Sequence, residues 1–121
     1  MGWQQSVLWG EQVSEFEMIM DEVRELNDRK RSDYGSGVDP LANLRASEEF
    51  GIPAWVLAQI RVLEKSRRIQ AYIKGSTLKN EGVEDSLLDQ IVYSIHALSL
   101  FREMSQAEVI MNQPINRGEE A

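Results

Sequence analysis

Apolar residues in this chain recur every three or four positions, and no segment alternates strictly between apolar and polar as a half-buried strand does. That pattern restricts the fold to packed helices. From about Gly10 to Arg31, Val13, Phe16, Met20, Val23 and Leu26 form one amphipathic face. The string SDYGSGVDP breaks this helix, because Gly35, Gly37 and Pro40 cannot sustain one and Asp39 before Pro40 favours extended backbone. Leu41 to Phe50 reads as a short helix stopped by Gly51. Pro53 suits the first turn of the next, which runs through WVLAQIRVLEKSRRIQAYIK to a terminator at Gly75. After the polar linker KGSTLKNEG, helix-forming sequence resumes near Val83 and lasts to about Ala107. The closing NQPINRGEEA reads as a disordered tail. The prediction is an all-α helical bundle of three long helices and one short one, a single domain over residues 1–110 with a tail over 111–121. Each helix has more large apolar residues than one narrow face needs, so the bundle is expected to be completed by oligomerisation, as a homodimer or homotetramer.

Charge and composition narrow the function. Thirteen basic against 20 acidic residues leave a net charge of −7, which argues against binding a nucleic-acid polymer, since that requires a basic face. A nucleotide site survives this argument, because a bound cation inverts the local sign. There is no cysteine, so disulfides and thiolate metal sites are excluded, and a cytoplasmic location is expected. The N-terminal MGWQQSVLWGEQ lacks the basic and long apolar regions of a signal peptide. No apolar run reaches the ~18 residues of a membrane span.

One ridge carries unusual chemistry. Glu81, Asp85, Asp89 and Tyr93 are each four residues apart, which stacks them on one side of an otherwise apolar helix. Two such carboxylate charges about 5 Å apart repel by roughly 3 kcal/mol at an effective dielectric near 20. Water, a basic partner, a shared proton or a divalent cation must offset this. Asp21, Glu22 and Glu25 share a face of the first helix, where the plain alternative is a solvated surface with local pairs such as Glu25 with Arg29. Acids on facing helices are how helical bundles hold hard divalent cations, and Mg²⁺ takes about six oxygens, some from water and phosphate. In the second long helix Arg61, Lys65 and Arg68 share a face with Glu64 beside them. They are candidates for phosphate oxygens, or simply for pairing with the carboxylate ridge. Lys30 could reach a phosphate, Tyr34 could stack on a base, and Asn43 could read a base edge or cap a helix. His96 reads as a packed helix residue rather than a ligand, and Trp3, Trp9 and Trp55 as packing or interface residues.

The ordered strings KRSDYG, PLANLRASEEFGIPAWVLAQIRVLEKSRRI and EGVEDSLLDQIVY resemble a phage and bacterial family of nucleotide-modification-associated domains. That family is related to the all-α NTP pyrophosphatases of the MazG and dimeric dUTPase type. The resemblance spans about Phe16 to Arg102, and its most specific block is Glu81, Asp85, Asp89 and Tyr93. Glu64-Lys65 stands where the family usually has Asp-Lys, Gly82 where Ser is common, and Asp85 and Asp89 are four apart where MazG proteins have three. The resemblance implies a Mg²⁺-dependent hydrolase, with Mn²⁺ a substitute, that splits a (d)NTP into (d)NMP and pyrophosphate. Glu22, Glu25, Asp85 and Asp89 would hold the metal. Glu64 or Glu81 would orient the attacking water. Lys30, Tyr34, Asn43, Arg61, Lys65, Arg68 and Tyr93 would contact substrate. Two alternatives stand beside it: a helical module that binds a nucleotide without turnover, and a structural adaptor whose polar ridge sets helix register.

Overall fold

The computed structural model describes residues 2–34, 39–75 and 80–113, with side chains over 14–32, 39–75 and 82–113. All its regular elements are helical, and no strand occurs among the described residues. The chain divides into two compact units, Met1–Ala42 and Asn43–Ala121.

The first unit is built on α1 (Gly2–Tyr34). This helix starts well before the Gly10 that periodicity marks and ends past Arg31. Trp3 to Trp9 contain no breaker, and a lone internal Gly10 costs only about 1 kcal/mol against alanine. Ser32 to Tyr34 are poor helix formers without being breakers, so the helix continues to the edge of the glycine-rich string. On the predicted apolar face, Val23 is buried, Met20 and Leu26 are half-buried and Phe16 is exposed. Residues 35–38 of the predicted break lie outside the described residues.

Asp39 then starts the next element. Its carboxylate accepts the Leu41 N–H at 2.9 Å and its carbonyl accepts the Ala42 N–H at 3.1 Å. The ten-residue helix predicted here is instead two pieces, α2 (Ala42–Arg45) and a tighter 3₁₀ turn over Ala46–Phe50. Ser47 accounts for the tightening. Its buried hydroxyl lies 2.8 Å from the carbonyl oxygens of both Leu44 and Ile52, so its one proton is shared across the turn. Gly51 closes the turn at φ +78°, as its predicted stop role requires, and donates to the Glu48 carbonyl at 3.0 Å.

Pro53 precedes α3 (Ala54–Ile73) rather than lying in its first turn, and Gly75 at φ +95° ends the segment. The last helix, α4 (Asn80–Asn112), again exceeds the predicted Val83 to Ala107. Asn80 and Glu81 join it because they contain no breaker, and Glu108 to Asn112 extend it because the first proline is Pro114. The predicted tail therefore begins in helix, and residues 114–121 lie outside the described residues.

Helices α3 and α4 pack antiparallel. Trp55 meets Phe101 edge-to-face at 5.3 Å near one end, and Ser66 meets Gln90 further along, so position rises on one helix as it falls on the other. Small residues make up most of the buried seam. Ala58 and Ser86 are fully buried, Ala54 and Ala97 nearly so, and Leu100 and Val92 complete the buried set on these helices. Arg45 binds both carboxylate oxygens of Glu103, at 3.0 and 3.1 Å, and ties α2 to α4.

Candidate functional site

The carboxylate ridge is local geometry, and α4 delivers it. Asp85, Asp89 and Tyr93 occupy successive turns of one continuous helix. Asp85 is exposed, Asp89 and Tyr93 half-buried, and the Glu81 side chain lies outside the described residues. The offset that the ridge requires is a basic partner on the neighbouring helix. Lys65 Nζ of α3 stands 3.3 Å from Asp89 Oδ2, with the two side chains 21% and 25% exposed. At that depth the pair is screened less than a surface ion pair and keeps enough water contact to limit desolvation.

The other predicted groups divide among several places. Arg61 grips Glu64 along α3, with Nη1 3.1 Å from both carboxylate oxygens. Arg68 is exposed one turn beyond Lys65, and Asn43 is exposed on α2. The Tyr93 ring meets His96 edge-on at 6.4 Å between centroids, so the lone histidine belongs to an aromatic pair on α4. In the first unit, Glu22 and Glu25 are exposed on α1 and Lys30 is half-buried. A local ion pair on that helix joins Arg24 to Asp21 at 2.7 Å; the Glu25–Arg29 pairing offered from spacing is not made among the described residues. The Tyr34 side chain lies outside them. No group of three acidic or histidine side chains able to hold a metal occurs among the described residues.

The donor chemistry still suits a hard cation. Asp85 and Asp89 offer carboxylate oxygens from adjacent turns, and Mg²⁺ commonly takes one or two protein carboxylates and completes its shell with water and phosphate. Metal there would compete with the Lys65 ammonium for Asp89.

Several polar contacts carry no signal in the sequence. The Gln90 amide donates to the Ser66 hydroxyl across the helix seam. The Ser86 hydroxyl is fully buried with no hydrogen-bond partner among the described residues. Asp39 is legible, since an aspartate just ahead of a helical run is a capping signal; the interhelical pairs leave no local trace.

Among the described residues, concavities lie beside the α3–α4 seam. One, of about 270 Å³, is lined by Arg45, Glu48, Trp55, Glu103 and Met104. Another is a groove of about 550 Å³ along Val62, Leu87, Ile91, Ser94, Ile95 and Leu98. No described helix is long and apolar enough to cross a membrane. Comparison of the chain with protein-family models, with curated proteins and with solved structures returns no match.

Proposed function

We propose that this protein is a Mg²⁺-dependent nucleoside triphosphate diphosphohydrolase that converts a (d)NTP to (d)NMP and pyrophosphate. The observation that carries the reading is the Asp85–Asp89 pair, with the Lys65 ammonium 3.3 Å from Asp89 in a partly water-excluded position. The sequence resemblance to all-α NTP pyrophosphatases supports the same reading, and with it a MazG-like bundle completed by further copies of the chain.

In this reading Asp85 and Asp89 hold the cation. Bound Mg²⁺ supplies charge to the triphosphate oxygens and acidifies a water. The chain's own groups do the rest. Lys65 turns from Asp89 toward a phosphate oxygen, and Arg68, one turn along, offers a second positive charge to the departing pyrophosphate. Glu64, held by Arg61, orients the attacking water as an outer carboxylate, with Glu81 as the other candidate. Glu22 and Glu25 carry the second acidic pair that the resemblance assigns to metal. The hydrolysis balances: water oxygen bonds to the α-phosphorus, the α–β bridging bond breaks, and pyrophosphate leaves with the bridging oxygen.

A second reading, binding without turnover, is favoured by one feature. Asp89 already has a counter-charge in Lys65, and the same basic and aromatic groups would seat a nucleotide without a metal. One experiment separates the two: pyrophosphate release from a panel of (d)NTPs with Mg²⁺, alongside equilibrium binding of each. Turnover supports the hydrolase, and saturable binding without turnover supports the module. If neither occurs, both readings fall.

A further inference from the structure

Lys65 puts a positive charge where the metal reading needs one. Its ammonium lies 3.3 Å from Asp89 Oδ2, and both side chains are largely withdrawn from water. Among the described residues this ammonium is the positive group that pairs with Asp89. Arg61, one turn earlier on α3, is committed to both oxygens of Glu64. Asp89 therefore takes its counter-charge from one source at a time, either the lysine or a cation that replaces it.

We infer that Lys65 is a latch on the metal position. It holds Asp89 in the metal-free protein and has to leave before a divalent cation binds there, so metal and polyphosphate each open the site to the other. This rests on the metal reading above and goes beyond it, because it assigns the lysine a regulatory part that binding studies detect without turnover.

The argument is electrostatic. A divalent cation on Asp85 and Asp89 brings two positive charges beside the ammonium, at a depth where salt and water screen them weakly. Metal alone therefore binds against Lys65, and the lysine it displaces has lost its carboxylate. A polyphosphate reverses both effects. Its oxygens accept the ammonium in a charge-assisted hydrogen bond, which leaves Asp89 to the metal. The coupling is reciprocal by thermodynamic necessity, and such couplings are typically about 5- to 150-fold.

The local structure suits a latch made of one side chain. Lysine carries a compact charge on a long flexible stem, so it changes partners by rotating that stem. The backbone stays put, because the next residue on each helix is tied across the seam: the Gln90 amide donates to the Ser66 hydroxyl. Ala58 and Ala97 are buried further along the same seam and fix its register.

The test measures two gains of affinity in the full chain, with circular dichroism confirming that each variant is folded. Mn²⁺ alone is titrated first, the free ion being read by electron paramagnetic resonance. Lys65→Met, which keeps the stem and loses the charge, should bind Mn²⁺ at least about fivefold tighter than wild type. Lys65→Arg keeps the charge and should bind it no tighter. Arg67→Gln removes the same charge from an exposed position and should stay near wild type. The second arm titrates inorganic tripolyphosphate by calorimetry in chelator. Asp89→Asn, which releases Lys65, should bind it tighter than wild type, whereas Glu84→Gln, at an exposed position, should not. A Lys65→Met variant that binds Mn²⁺ no tighter than wild type overturns the inference, as does an Asp89→Asn variant with no gain for tripolyphosphate. If nothing binds Mn²⁺, the latch and the metal reading fall together. Both gains without turnover of any (d)NTP keep the latch and sink the hydrolase, while turnover without either gain does the reverse.

Discussion

At the scale of single residues, Asp89 is the informative position. Its sequence neighbours Leu88 and Gln90, and the apolar character of the helix, make an uncompensated carboxylate costly there. Spacing alone makes Asp85 its chief electrostatic neighbour, so that Asp89→Asn would relieve repulsion. The structure adds Lys65 on the attractive side. At 3.3 Å against a neighbour one turn away and more exposed, attraction should win. Asp89→Asn is therefore expected to lower the stability of the metal-free protein by about 1 kcal/mol, between the values typical of exposed and buried pairs. Urea denaturation in chelator measures it; a mutant more stable than wild type would show that the Asp85 repulsion dominates. Ser86 gives a prediction of opposite sign. Its hydroxyl is buried without a partner among the described residues, and such a group carries a desolvation penalty of about 1 kcal/mol or more. Ser86→Ala keeps nearly the same volume, so it should stabilise the fold by about that amount. A destabilised alanine variant would mean that the hydroxyl is satisfied in solution.

At the scale of elements, helix existence is legible in the sequence and helix ends are not. The apolar period marks α1, α3 and α4 because backbone hydrogen bonding from each residue to the fourth before it is local, and side chains on one face follow from it. Ends depend on weaker competitions. Gly10 is crossed because one glycine costs less than restarting a helix, and Asn80 is included because nothing forbids it. The short element shows most clearly how a local side-chain bond overrides backbone propensity. Ala46–Phe50 has helix-compatible residues, yet Ser47 sharing its proton between Leu44 and Ile52 draws the chain into a 3₁₀ turn. Gly51 pins that turn at φ +78°, with nothing within 4 Å of where a Cβ would stand. Gly51→Ala should thus cost only the backbone term, about 1 kcal/mol, with no steric addition. A thermal melt checks this: a loss of several kcal/mol would reveal a contact beyond the backbone.

At the scale of the whole molecule, the test of the candidate site is stabilisation by metal. A ligand at 100 times its dissociation constant stabilises by about 2.7 kcal/mol, or roughly 10 °C in a domain of this size. Mg²⁺ or Mn²⁺ should raise the melting temperature by an amount that saturates, and Asp85→Asn should abolish the increment while Glu84→Gln leaves it. A flat melting temperature across the metal titration would remove the metal from the reading. Much of the candidate site is legible in the residue spacing. Glu81, Asp85, Asp89 and Tyr93 share a ridge by that spacing alone, and Arg61, Lys65 and Arg68 share theirs. Which basic group meets which acid is not legible there: Arg61 chooses Glu64 on its own helix, whereas Lys65 crosses to Asp89.

The sequence by itself determined that this chain is helical, where its polar and apolar stripes run, and that its acids stack four apart. All of these follow from interactions within a few residues along one helix. Only the tertiary structure decided the register between α3 and α4, and with it the Lys65–Asp89 and Ser66–Gln90 partnerships and the face left open along Leu87 to Leu98. The physical reason is that register is set by packing. Small residues such as Ala58 and Ala97 let two helices close at one offset, and residues 24 positions apart then become neighbours.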